Sequence, residues 1–71
     1  MINGTQCRMA RAALRLGVRD LATMAKVATA TVWRLEAGEP LKPRTIEAIQ
    51  HALEKAGVEF INGNKPGVRV K

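Results

Sequence analysis

Apolar residues recur every three to four positions through most of the chain and alternate only near its end, a pattern that predicts short helices followed by β structure. From Thr5 to Leu16, Cys7, Ala10 and Leu14 keep helical spacing with Met9 and Ala13 beside them, while Arg8, Arg11 and Arg15 fall between. This predicts an amphipathic first helix with Thr5 as its N-cap. Leu21, Ala22 and Ala25 mark a second helix over Val18 to Lys26, with Asp20 in the first turn, where a carboxylate complements the helix dipole. Val32 and Leu35 form the inner stripe of a third helix, ended by Gly38 and Pro40. Pro43 suits the first turn of a fourth, whose seam is Ile46, Ile49, Leu53 and Ala56 and whose end is Gly57.

Beyond Gly57 the β-formers Val58, Phe60 and Ile61 and later Val68 and Val70 are separated by the turn-rich stretch Ile61 to Gly67. A hairpin is expected there. Two strands alone are marginal in water, so they must pack on the helices or pair with another chain.

A chain of 71 residues has room for a single domain, residues 1–71, with a helical bundle over 5–56 and a β tail over 57–71. So small a core usually needs a disulfide, a metal or self-association. Cys7 and His51 are the only cysteine and histidine, so self-association remains. The lone thiol fits a reducing compartment, and neither a secretion-type start nor a membrane-length apolar run is seen. A soluble cytoplasmic protein is expected. The net charge of +6 favours a polyanionic partner, nucleic acid first among them. No enzyme is expected, because the chain lacks a glycine-rich phosphate loop and paired histidines at ligand spacing, and Cys7 reads as a core thiol. No metal or cofactor is expected, since four zinc ligands cannot be assembled.

The most informative stretch is Leu21 to Gly38, where two short helices are joined by very few residues. Ala22 and Ala25 allow close approach, and Val27, Val32 and Leu35 fill the wedge. A steep crossing of this kind leaves the third helix projecting, with its first turn free to enter a major groove.

Leu21, Ala22, Ala25, Val27, Val32, Leu35, Glu36 and Gly38 together resemble the pattern of the Cro and phage-repressor (XRE-like) helix-turn-helix family. The resemblance continues through Gln6 to Leu14 and Lys42 to Leu53, and the Gly57–Ile61 and Pro66–Val70 stretches look like the ending of a subgroup of short bacterial and phage regulators. It implies a mainly α, four-helix, lambda-repressor-like domain with a C-terminal β-hairpin or strand tail, acting as a transcriptional repressor. It also implies base contacts from Thr29, Ala30 and Arg34, the last able to bind guanine O6 and N7 bidentately. Thr31 falls near the DNA backbone, Arg44 matches a minor-groove arginine, and Arg19, Lys26 and Lys42 are phosphate candidates. Trp33 sits on an outer face, against DNA or a partner, or else folded back as peripheral core.

Arg11 and Glu36 match a pair that ties the first helix to the end of the third. The chain departs from the family in having Lys26 at a turn position usually held by glycine, Ala28 in place of a serine cap, and Val18 where a phosphate-binding glutamine is common. The implied operator has paired half-sites about 34–36 Å apart, hence a homodimer. Val58, Phe60, Ile61, Val68 and Val70 are expected at its interface. The competing reading is a protein-interaction module, an antitoxin or antiactivator that keeps the helix-turn-helix shape for an unknown protein partner.

Overall fold

The computed structural model describes residues 1–71: four α-helices and a two-stranded antiparallel sheet. The helices are α1 (Gly4–Leu14), α2 (Val18–Ala25), α3 (Thr29–Glu36) and α4 (Pro43–Ala56), followed by β1 (Val58–Ile61) and β2 (Gly67–Val70). The mainly helical domain with a β tail is therefore as expected. No helix is long and apolar enough to cross a membrane.

The cap of α1 is Asn3, not Thr5. The Asn3 side chain accepts from Gln6 N (2.8 Å) while Gln6 Oε1 accepts from Asn3 N (3.0 Å), a reciprocal box that satisfies two helix-end donors. At its other end α1 stops before Leu16, because Arg15 turns left-handed at φ 58° and Leu16 N bonds back to Arg11 O. Gly17 is the N-cap of α2, its N–H bound by Asp20 Oδ2 at 2.9 Å.

Lys26 ends α2 with φ 58°, in the left-handed conformation that glycine adopts without strain. A side chain in that region is strained, so Lys26→Gly should raise stability by about 0.5–1 kcal/mol. Chemical denaturation would measure it; a loss of stability would mean that the lysine stem makes compensating contacts. Ala28 provides no side-chain cap to α3, and Thr29 is the first helical residue and not a substitute cap. Pro43 opens α4, and Gly57 closes it at φ 122°.

The core is one cluster to which every helix contributes: Cys7 and Ala10, Leu21 and Ala22, Val32 and Leu35, and Ile49, Ala52 and Leu53. Ile2, ahead of α1, and Val58, from the sheet, complete it. On α4 the apolar seam runs through Ala52; Ala56 is exposed.

The two strands pair with each other inside the chain, Val58 opposite Val70 and Phe60 opposite Val68, and rest on α1 and α4. Gln6 is the latch. This buried side chain donates from Nε2 to Ile61 O (3.1 Å) and Gly67 O (3.3 Å), holding both ends of the hairpin loop to the first turn of α1. Burial of a polar amide is tolerable only with such partners. The packing corrects part of the expected dimer surface: Val58 has no exposed area, and Phe60 and Val68 are half-buried against the monomer's own core.

Candidate nucleic-acid interface

Helices α2 and α3 are separated only by Lys26, Val27 and Ala28. Leu21 and Ala22 of the first helix and Val32 and Leu35 of the second are buried in the common core. With that stripe of α3 turned inward, Ala30, Trp33, Arg34 and Ala37, at i, i+3, i+4 and i+7, are exposed and line the opposite face. Thr29 and Thr31 lie on the flanks of this face and are half-buried. Trp33 is 60% exposed, so the indole is not peripheral core.

The rear of α3 is fastened to α1 by a charged network. Arg11 Nε and Nη2 donate to Glu36 Oε2 (2.7 Å) and Oε1 (2.8 Å), a two-pronged guanidinium–carboxylate pair, and Arg11 Nη1 reaches Leu16 O (3.1 Å). The Cys7 thiol donates to Glu36 Oε2 (3.3 Å), and Arg8 Nη2 donates to the Glu36 carbonyl (3.1 Å). Burial would raise the Glu36 pKa, but the hydrogen bonds from Arg11 and Cys7 and the positive charges of Arg11 and Arg8 outweigh it and hold the carboxyl below its usual range. Burial first, and then the Glu36 hydrogen bond and charge, push Cys7 up to about 12. At neutral pH it is a thiol with no nucleophilic population to speak of.

Fixing Glu36 against α1 removes the only carboxylate of α3 from the exposed face. Among the chain's 12 lysines and arginines, only Arg11 and Arg69 lie within ion-pairing distance of a carboxylate, Arg69 with Glu59 at 3.5 Å on the outer side of the hairpin. Arg19, Lys26, Arg34, Lys42 and Arg44 are all exposed and unpaired. Their charges remain available to an external anion. No group of three or more His, Cys, Asp or Glu side chains is placed to hold a metal ion.

Three contributors escape the sequence pattern. Gly4 lets the first turn of α1 approach the end of α3: a methyl group there would overlap the Leu35 carbonyl oxygen and come within 2.9 Å of Glu36 Cα. Arg8 and Gln6 act through backbone carbonyls of distant segments, which spacing along the chain does not reveal. The Asn3–Gln6 box did carry a local signal, an N-cap type followed three residues later by an amide. No protein-family model matches the chain, and no curated protein matches it.

Proposed function

We propose that this protein is a sequence-specific double-stranded DNA-binding regulator of the Cro and phage-repressor type, an intracellular repressor that inserts α3 into the major groove. The observation that carries the reading is the carboxylate-free exposed face of α3, Ala30, Trp33, Arg34 and Ala37, in a chain whose candidate phosphate cations have no internal partner. On this reading Arg34 donates to a guanine edge, Ala30 and Thr29 lie against bases at the entry turn, and Thr31, Arg19, Lys26 and Lys42 bind phosphates. Arg44, at the start of α4, reaches the adjacent minor groove. Neutralised phosphates release counterions, so affinity must fall steeply with salt.

Binding of duplexes selected from a random pool, followed over a salt series, tests the proposal. Arg34→Ala should relax the preference at one base pair per half-site and cost about 1–3 kcal/mol there. Lys42→Ala should weaken all sequences alike and reduce the salt slope by about one. Equal effects of both variants on every sequence would remove Arg34 as a reader, and no preference over scrambled duplexes in dilute buffer would remove the function.

A homodimer matches paired half-sites. Lys71 N bonds to Gly57 O, so the alternation of an antiparallel ladder makes Glu59–Arg69 and Ile61–Gly67 the hydrogen-bonded pairs. The main-chain groups of Phe60, Val68 and Val70 then point away from the partner strand, whereas those of Val58 are buried, so the edge open to a second chain is the outer one of β2. Of the side chains expected at the interface, Ile61 and Val70 retain substantial exposure, 37% and 56%. Val70→Asp should leave the fold intact and shift the protein to monomer in sedimentation; an unchanged dimer would place the interface elsewhere.

The interaction-module reading draws on the exposed Trp33–Arg34 pair, since these residue types anchor many protein interfaces. The set of unpaired cations favours DNA.

A further inference from the structure

Trp33 is the chain's only tryptophan and, at 60% exposure, one of its most exposed large apolar side chains. Its indole N–H has no hydrogen-bond partner in the chain, and its ring lies on the same stripe as Arg34, with only the small residues Ala30 and Ala37 along the rest of that face. An indole left in water on a face that is otherwise flat and free of carboxylates calls for an external apolar surface. A second copy of this chain is a poor occupant, because it would bring its own +6 charge against exposed, unpaired arginines and lysines. A major groove supplies the opposite sign. Its phosphates complement the cations, and the one apolar group it displays among base edges is the C5-methyl of thymine.

Resting on the DNA-binding reading above, we infer that Trp33 is a specificity-determining residue that packs its indole on a thymine C5-methyl beside the guanine bound by Arg34. The two side chains are adjacent in sequence and emerge from one helical face, so they address neighbouring positions of the half-site. Arg34 supplies the hydrogen-bond code, and Trp33 supplies a methyl code that hydrogen bonding cannot read. A cytosine carrying a C5-methyl would present the same apolar knob at that position with a different hydrogen-bonding edge.

The test uses the intact protein and a duplex recovered by selection from a random pool. Each thymine of one half-site is replaced in turn by deoxyuridine, which removes the methyl and keeps every hydrogen-bonding group. At one position the wild-type protein should lose about fourfold in affinity, the equivalent of one methyl group withdrawn from an apolar contact. Trp33→Ala should bind the thymine and uracil duplexes equally, and Trp33→Phe should keep a preference for thymine. Because Trp33 is exposed, both variants should retain the wild-type circular dichroism spectrum and melting temperature. As the sole tryptophan, its emission should also shift to the blue when the selected duplex is added, with a smaller shift on the uracil duplex.

Wild-type affinity indifferent to uracil at every position would overturn the inference, as would a uracil penalty that persists undiminished in Trp33→Ala. So would a Trp33→Ala variant that binds DNA as wild type but loses self-association in sedimentation, which would assign the face to a protein. These outcomes differ from failure of the underlying function, in which no selected duplex is preferred over a scrambled one by any variant.

Discussion

Arg11→Ala should destabilise the domain by about 2–3 kcal/mol, the upper range for a charged hydrogen bond, because it leaves the partly buried Glu36 carboxylate without its guanidinium. Glu36→Ala should cost less, about 2 kcal/mol, in the range for a charged hydrogen bond. The asymmetry follows from exposure. The Glu36 side chain is only 7% exposed and cannot turn to water when its guanidinium is lost, whereas Arg11, at 19% on a long flexible stem, can move outward when its carboxylate is lost. The double variant should cost well under the sum of the two, with a coupling of about 1–3 kcal/mol, and additive costs would refute the pairing as a source of stability. A domain of this length has roughly 4–10 kcal/mol in total, so Arg11→Ala removes a large share.

The pH dependence has a definite sign. In the wild type Glu36 has a folded pKa below its ordinary value of 4.5, so its contribution is present above that value and disappears as pH falls through the depressed folded one. Glu36→Gln should flatten the acid limb of stability. In Arg11→Ala the burial that opposes ionisation loses its main counterweight, and the limb should vanish there too. Cys7 acts at the other extreme: its folded pKa of about 12 lies above the ordinary 9.0, so its contribution is full below 9.0 and is lost as pH rises toward 12. Urea melts between acid and alkaline pH resolve both limbs. A Glu36→Gln protein with an undiminished acid limb would mean that other carboxylates govern acid unfolding.

What could be read from the residues depended on how local the governing interaction was. The four helices follow from apolar spacing, and Pro43 and Gly57 mark the limits of α4 because fixed φ and left-handed freedom are properties of single residues. The Arg15 terminus had no such mark. An arginine takes the left-handed conformation there because burial of Leu14 and Val18 on the core requires the chain to turn between them, overriding its own preference. Ile2 stands alone before α1, where no periodicity can indicate burial, yet it enters the core. Val58 and Val70 share the same residue type and sit opposite each other, and only the packing of the hairpin on α1 and α4 makes one buried and the other exposed. For the candidate interface, spacing located the outward face of α3 but left Trp33 open, since an indole can cover neighbouring helices from such a position. The fold leaves it uncovered.

Gly4→Ala should lower stability although helix propensity alone predicts the reverse. Gly4 occupies the first position of α1 and has no left-handed φ, so alanine in an unobstructed helix would gain about 0.4–1 kcal/mol. Against this stands the overlap of its methyl with the Leu35 carbonyl oxygen and its approach to 2.9 Å from Glu36 Cα. Both obstacles are backbone, and the segment that bears them is held by Arg11 and Arg8, so it cannot yield as a flexible side chain would. Overpacking of this kind costs about 1–3 kcal/mol, which exceeds the propensity gain. The expected net effect is a Tm lower by roughly 5–15 °C, and a larger fall for Gly4→Val, whose branches add further clashes. Relief by separation of α1 from α3 would also lengthen the Arg11–Glu36 contacts, so Gly4→Val should lose part of the acid limb described for the wild type. A Gly4→Ala protein that melts higher than the wild type would mean that the two helices can part at negligible cost and that the orientation of α3 is not set at this contact.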